Sequence, residues 1–142
     1  MNRILSIVLV LASTLAAAGS SSAQEMVVKA TVPFNFTVRD HTLPAGTYRI
    51  NSPFNSANVL ALSNRDKNAY LLTMGRAYQA NPKHADVLVF HKYGNQYFLS
   101  QIRSKQGSIN IDLPVTKAEK RVRTQVEEAG RFVDDPVLIA LN

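Results

Sequence analysis

The stretch VLVFHKYGNQYFLSQIR, residues 87–103, carries the clearest strand pattern in this chain. Two runs rich in β-branched and aromatic residues flank Gly94 and Asn95. A Gly-Asn pair suits the central positions of a type II′ turn, because glycine adopts the positive φ that the first of them requires. The sequence therefore predicts an antiparallel hairpin centred on this turn.

A two-residue turn at this point fixes the register of the predicted hairpin. His91 is expected to face Phe98, and Val87 is expected to face Ile102. Apolar side chains then lie on both faces: one carries Val87, Val89, Phe98 and Ile102, and the other carries Leu88, Phe90, Tyr97 and Leu99. Two apolar faces predict that both sides are covered, so the hairpin is expected at the centre of a β-sandwich or small β-barrel.

The rest of the chain reads as short apolar runs separated by turn residues, which is the pattern of antiparallel all-β domains. Phe34, Phe36 and Val38 alternate with polar residues, and Pro33 is expected to break that strand because proline cannot donate to a β-ladder. The runs ANVLALSN, AYLLTMGRAY and SINIDL predict further strands. The predicted fold class is mainly β: an antiparallel β-sandwich or small β-barrel of about seven to eight strands with one C-terminal α-helix.

That helix is predicted at about residues 116–129 from signals at its two ends. Thr116 and Glu119 match the T-x-x-E capping box, and Gly130 is placed to end the helix. Glu119 and Arg123 have the spacing of a favourable i,i+4 ion pair. A narrow apolar stripe predicts one packed face; it consists of Ala118, Val122 and Val126.

Residues 1–23 have the composition of a cleaved secretory signal peptide. Arg3 provides the positive charge, an apolar run follows, and the small residues Ser21 and Ala23 precede the expected cleavage site before Gln24. The mature chain is therefore expected to be exported, either to the periplasm or out of the cell. No later segment is apolar and long enough for a spanning helix, so no integral membrane span is predicted after cleavage.

Three regions are expected along the chain. The signal peptide, residues 1–23, is followed by a single all-β domain, residues 24–130, which ends in the helix. Residues 131–142 form an apolar C-terminal tail, which either adds a strand or is captured by a partner. The chain has no cysteine, so neither a disulfide nor a lipid anchor on cysteine is expected.

The formal net charge of +6, which becomes +5 when Arg3 leaves with the signal peptide, fits either a solvated basic surface or attraction to an anionic partner other than nucleic acid. An exported chain without a dense basic run or an RNA-reading aromatic motif does not fit nucleic-acid binding. The basic residues lie near predicted turns, among them Arg65, Lys67 and Lys105. The sequence leaves the partner unknown, and an anionic envelope polymer or another exported protein is the expectation.

No motif in the sequence predicts catalysis, a metal site or a cofactor. The histidines are His41, His84 and His91, and the last two would lie about 23 Å apart on one extended strand, too far for a shared metal. The chain lacks a G-x-S-x-G nucleophile motif and a pattern of paired carboxylates for glycoside hydrolysis. The sequence therefore predicts a non-catalytic exported β-domain with a binding or envelope-associated role.

Aromatic residues near the hairpin are the candidates for ligand contact; they are Tyr48, His91, Tyr93, Tyr97 and Phe98. His91 is interpreted first as a half-buried residue that stacks on Phe98, and second as a ligand-contacting group near the turn. Two alternative functions remain open. One is a carrier of small apolar ligands with an aromatic-lined barrel mouth, and the other is an enzyme of unrecognised type that uses His91 or His41.

Three motifs occur in order along the chain: VPFNF from Val32, LPAGTY from Leu43 and LVFHKYGNQYFL from Leu88. Together they resemble a family of small exported bacterial all-β proteins of unknown function. In that family V-P-F-x-F, L-P-A-G-x-Y and L-V-F-H-x-Y-G-x-x-Y-F-L precede a charged C-terminal helix. The resemblance covers roughly residues 28–128. It implies an exported all-β domain and implies no known chemistry.

Overall fold

The computed structural model describes residues 27–105 and 109–142, and the predicted signal peptide lies outside them. The strands of the first half are β1 (Val27–Val32), β2 (Phe36–Val38), β3 (His41–Leu43), β4 (Gly46–Asn51), β5 (Val59–Asn64), β6 (Ala69–Met74) and β7 (Arg76–Ala77). The later elements are β8 (Val87–Tyr93), β9 (Gln96–Arg103), β10 (Asn110–Asp112), the helix α1 (Lys117–Glu128) and β11 (Val137–Ala140). A single 3-10 turn, Pro53–Asn55, joins β4 to β5.

The strands form two sheets, which confirms the predicted β-sandwich with one C-terminal helix. The four-stranded sheet has the order β1-β4-β5-β6, and the seven-stranded sheet has the order β11-β8-β9-β10-β7, with β2 beside β9 and β3 beside β2. Neighbouring strands are antiparallel except β2 and β9, where Thr37 lies opposite Phe98. The two sheets do not close into a barrel.

The described chain has eleven strands, more than the seven or eight predicted, because long apolar runs are divided. Pro33 separates β1 from β2, as its missing N–H predicts. Gly75 separates β6 from β7, so that the run AYLLTMGRAY enters both sheets. The third additional strand, β3, has only three residues and pairs with β2.

The core lies between the two sheets and is centred on aromatic rings. Phe36 makes edge-on contacts with Tyr48 and Phe90, at centroid distances of 5.2 Å and 5.4 Å. All three side chains are fully buried. The hydroxyl of Tyr48 donates to the carbonyl of Pro44 over 2.6 Å, so this buried polar group has a partner.

The hairpin β8–β9 has the predicted turn, and the residues near that turn have the predicted pairing. Gly94 has a φ of 61°, Asn95 does not have a positive φ, and His91 lies opposite Phe98, as expected for a type II′ turn. A β-bulge then shifts the pairing, so that Ile102 faces Leu88 and not Val87.

Ser100 is the additional residue in this bulge, and its carbonyl accepts a hydrogen bond from the Leu113 backbone N–H over 2.8 Å. One extra residue reverses the direction of every side chain beyond it. Ile102 therefore joins Leu88 in the core between the sheets, which corrects the predicted face.

Gly75 forms the corner at which the chain passes from one sheet to the other. A Cβ added there would lie 2.5 Å from the carbonyl oxygen of Asp112 and 2.8 Å from Cγ1 of Ile111. Real Cβ atoms do not approach backbone this closely, so the corner requires glycine at this position.

The C-terminal tail joins the sheets on the opposite side. β11 pairs with β8, and Leu141 N–H donates to the Asp86 carbonyl over 3.0 Å. Asn142 then exchanges two backbone hydrogen bonds with Lys29 of β1, at 2.8 Å and 3.1 Å. Of the two alternatives for this tail, the added strand is the one that the structure forms.

The helix has the predicted ends but a different packed face. The Thr116 side chain accepts from the Glu119 N–H over 3.2 Å, and Gly130, with a φ of 69°, ends the helix in a Schellman motif. Arg123 pairs with Glu127 over 2.8 Å. This replaces the predicted ion pair between Arg123 and Glu119. Glu119 is instead buried, and Ala118, which the predicted stripe placed inside, is exposed.

Candidate functional site

The five residues predicted to contact a ligand do not share one surface; they are Tyr48, His91, Tyr93, Tyr97 and Phe98. Tyr48 lies in the centre of the sandwich with no exposed surface. Tyr97 stacks on Phe34 at a centroid distance of 3.8 Å, beside the core. Phe98 is buried on the other face of β9. These side chains therefore do not line a common mouth.

His91 and Tyr93 do lie together, and both contact a residue of α1. The Nδ1–H of His91 donates to Oε1 of Glu119 over 2.7 Å, and the Tyr93 hydroxyl donates to the same oxygen over 3.2 Å. The predicted stack of His91 on Phe98 is not formed; Phe98 contacts the Tyr93 ring at 5.8 Å. The half-buried position predicted for His91 is confirmed, with a carboxylate as its partner.

The surroundings of Tyr93 favour its protonated form. Burial raises the pKa of Tyr93 to about 12, and the negative charge and hydrogen bond of Glu119 add to this effect. At neutral pH the phenol is therefore a hydrogen-bond donor to the carboxylate. The Glu119 side chain is 7% exposed, and its Oε1 accepts hydrogen bonds from two donors at alternate positions of one strand.

Glu119 is the residue of this cluster that the sequence did not predict. The sequence assigns Glu119 to the capping box, and in the structure it also lies in a stripe with the half-buried Val122 and Val126 at i, i+3 and i+7. A charged residue inside such a stripe is the signal that identifies a buried polar contact. The partner on β8 lies 28 residues earlier in the chain, so spacing alone does not reveal it.

A cleft of about 390 Å³ lies next to this cluster, between α1 and the segment before β11. His91 and Tyr93 form part of its wall, together with Lys120, Arg123 and Asp134. Asp134 pairs with Lys92 over 3.0 Å, and Arg123 pairs with Glu127. The cleft therefore carries charges of both signs.

A second candidate surface lies on β6, at the edge of the four-stranded sheet. Tyr70, Leu72 and Met74 occupy alternate positions and are 67%, 46% and 60% exposed. Among the described strands, β6 pairs with β5 alone. We call the side of Ala69–Met74 that faces away from β5 the β6 edge.

The pairing with β5 determines which backbone groups the β6 edge presents. Gly75 N–H donates to the Asn58 carbonyl over 3.0 Å, in the same register as β5 and β6. Because the groups of an antiparallel strand alternate in direction, the N–H and C=O of Tyr70 and Leu72 point away from β5. They are the groups with which an added strand would pair.

The other edges of the two sheets are short or covered. Asn142 pairs with the edge of β1, β11 has four residues, and β7 and β3 have only two and three. Ala69–Met74 has six residues and contains no proline, no charged residue and no bulge, the devices with which proteins protect edges. Sequence reasoning identified this strand but not its exposure, because the alternation of apolar residues does not show which strand is outermost.

Within residues 27–105 and 109–142, no group of three or more His, Cys, Asp or Glu side chains is arranged to hold a metal ion. His41 lies exposed on β3. The helix found in these residues is not long and apolar enough to cross a membrane.

Comparisons with known protein families, with curated proteins and with solved structures found no match for this chain. The resemblance described above therefore rests on its three motifs. In the structure those motifs supply the β1–β2 junction, the start of β4 and the β8–β9 hairpin, which together provide much of the core.

Proposed function

We propose that this protein is a non-catalytic exported domain that binds an extended segment of another exported protein along the β6 edge. The observation that carries the proposal is the row of three large exposed apolar side chains, Tyr70, Leu72 and Met74, on a strand with one free side. A contiguous apolar surface of this kind marks an interaction site more often than a random surface does.

Strand addition uses both properties of this surface. A partner segment in extended conformation would pair with the backbone groups of Tyr70 and Leu72 and supply affinity through main-chain hydrogen bonds. Its alternate side chains would cover the exposed apolar row and supply specificity. Of the two partners expected from sequence, another exported protein fits an apolar strand edge better than a charged polymer does.

The non-catalytic part of the proposal rests on the cluster at His91. The imidazole of His91 and the phenol of Tyr93 both donate to the carboxylate of Glu119, and these hydrogen bonds join the helix to the sheet. Export is proposed from the signal-like composition of residues 1–23.

Photocrosslinking in the native envelope tests this function. Benzoylphenylalanine is placed at Tyr70 in one variant and at Leu138 in the other; Leu138 is 56% exposed on β11 and serves as the matched control. The expected result is an adduct at position 70 whose crosslinked peptide, located by mass spectrometry, belongs to one other exported protein. The additional substitution Leu72→Lys is expected to remove that adduct. Equal labelling at both positions would contradict the proposal.

One observation favours a second candidate, an enzyme that uses His91. Glu119 orients the imidazole, which is about one-third exposed beside the cleft, as a carboxylate orients a general base. Hydrolysis of a panel of p-nitrophenyl esters separates the candidates. Turnover that is lost in His91→Ala and kept in Leu72→Lys would support the enzyme.

The carrier of small apolar ligands gains no such support, since Tyr48 and Phe98 are buried.

A further inference from the structure

A groove of about 560 Å³ continues from the end of the β6 edge. It lies between the β6–β7 corner and the segment that leads from β10 to α1. Met74 belongs both to the edge and to the groove, and Leu113 and Val115 provide further apolar wall. Arg39 and Arg76 lie at its margin, and both are exposed. We call this feature the arginine groove.

The arginine groove is positively charged. Among the described residues, neither Arg39 nor Arg76 forms an ion pair with a carboxylate. Asp112 also lines the groove, but it offsets only one of the two guanidinium charges, and its Oδ1 is buried. A guanidinium group beside an apolar wall suits a carboxylate carried on an apolar segment.

Arg39 also marks the end of the strand-pairing surface. Its Nη1 donates to the Met74 carbonyl over 3.3 Å, so this carbonyl is not offered to an added strand. On the β6 edge, Tyr70 and Leu72 therefore keep both outward backbone groups, whereas Met74 keeps only its N–H. A segment that pairs with them therefore leaves the ladder at Met74 and enters the arginine groove.

We propose that the arginine groove binds an aspartate or glutamate side chain of the partner segment. The partner is then an extended stretch of alternating apolar residues next to an acidic residue. This inference rests on the proposed function, because it describes the end of the same binding site. It adds that the partner segment carries a negative charge and that this charge lies beyond the end of the paired strand.

The charges at the two ends of β6 disfavour a second copy of this chain as the occupant. The turn before β6 carries Arg65 and Lys67 against one acidic residue, Asp66, and the arginine groove carries Arg39 and Arg76 against Asp112, so both ends are net positive. Antiparallel pairing of two β6 strands brings the turn of one copy beside the groove of the other. Like charges then meet at both ends of the interface, whereas an acidic segment meets opposite charge.

Fluorescence anisotropy with synthetic peptides tests the inference. The probe is a fluorescein-labelled, C-terminally amidated peptide in which threonine and valine alternate over about six residues, followed by glycine and aspartate; when it pairs parallel to β6, its aspartate lies at the arginine groove. A second peptide has asparagine in place of aspartate. A third has asparagine and a free C-terminal carboxylate. The wild-type protein at low salt is expected to bind the aspartate peptide roughly tenfold more tightly than the asparagine peptide.

The protein variants assign this preference to the groove. Arg76→Gln and Arg39→Gln are each expected to reduce the preference for aspartate several-fold. Arg65→Gln, at the other end of β6, is the matched control and is expected to leave it unchanged. Leu72→Lys is expected to weaken binding of both peptides, because it places a charge in the apolar row.

Each outcome separates the inference from the proposed function. Equal affinity for the aspartate and asparagine peptides overturns the proposal that the arginine groove binds an acidic side chain. It leaves the proposal of strand addition at the β6 edge standing. Preference for the free C-terminal carboxylate alone overturns the side-chain assignment in favour of a chain end. Absence of binding to all peptides, or binding that Leu72→Lys does not weaken, overturns the strand edge as well. A dimer in sedimentation that Leu72→Lys dissociates would make the edge a self-interface and overturn both.

Discussion

The carboxylate of Glu119 lies 2.7 Å from Nδ1 of His91, and this contact joins α1 to β8. The same oxygen accepts a hydrogen bond from Tyr93, which is on the same face of the strand. The Glu119 side chain is 7% exposed, and a buried carboxylate is costly unless donors replace the water that it loses. This polar contact therefore contributes to the position of the helix on the sheet.

Removal of this carboxylate is expected to destabilise the fold. Glu119→Ala leaves the donors of His91 and Tyr93 without their shared acceptor, and the loss should be about 1–3 kcal/mol of unfolding free energy. Urea unfolding followed by circular dichroism measures it. Gln125→Ala, an exposed position of the same helix, is the control and is expected to have a small effect. Equal losses in the two variants would show that Glu119 does not hold the helix.

The raised pKa of Tyr93 predicts a loss of stability at alkaline pH. Its folded value of about 12 exceeds the unfolded value of 10.0, so the folded state holds the proton more tightly. The contribution of Tyr93 to the unfolding free energy is therefore complete below pH 10. It is lost as the pH rises towards 12, at up to about 1.4 kcal/mol per pH unit.

The measurement is the unfolding free energy of the wild type and of Tyr93→Phe between pH 9 and pH 12. Burial also raises the pKa values of Tyr48 and Tyr78, so both proteins should lose stability. The difference between the two curves isolates Tyr93, and the variant should give the flatter one. Parallel curves would mean that Tyr93 is not held as a donor to Glu119.

Local signals were sufficient to predict the main elements of the fold. Gly94 sets the hairpin turn because its φ is positive, and Thr116 and Gly130 set the ends of the helix. These features depend on residues within one turn of each other, so the sequence shows them directly. The burial of Phe36 and Phe90 likewise follows from alternation along each strand.

Features that depend on contacts between distant parts of the chain were not predictable. The bulge at Ser100 is fixed by the Leu113 N–H, which belongs to the segment after β10. The contact of Glu119 with His91 requires the helix to lie on β8, and turn signals do not specify this. The exposure of Leu72 depends on the order of strands in the sheet, which the apolar pattern of a single strand does not contain.

The C-terminal strand is expected to be part of the cooperative fold. Removal of residues 137–142 uncovers the edge of β8 and the backbone of Lys29, and it removes side chains that pack on the core, among them Val137 and Ile139. The expected loss is about 3 kcal/mol or more. Thermal unfolding measures it.

Two single substitutions refine this test because they lie side by side on β11. Ile139 is partly buried against the core, whereas Leu138 is exposed. Ile139→Ala should cost about 1–2 kcal/mol, and Leu138→Ala should cost little. A shortened protein with an unchanged melting temperature, or similar effects of the two substitutions, would mean that β11 is detached in solution.

The corner at Gly75 gives the last prediction. Gly75→Ala places a Cβ against the Asp112 carbonyl, and backbone cannot move aside as a flexible side chain does. The expected cost is about 1–3 kcal/mol, and it exceeds the gain of up to about 1 kcal/mol that alanine normally brings over glycine within a strand. Gly75→Ser, with a larger side chain, should cost more.

Thr73→Ala, two residues earlier on β6, is the control for a change on the same strand. Chemical denaturation of the three variants measures these costs. A Gly75→Ala variant as stable as the wild type would contradict this account. It would mean that the corner has room for a Cβ beside the Asp112 carbonyl.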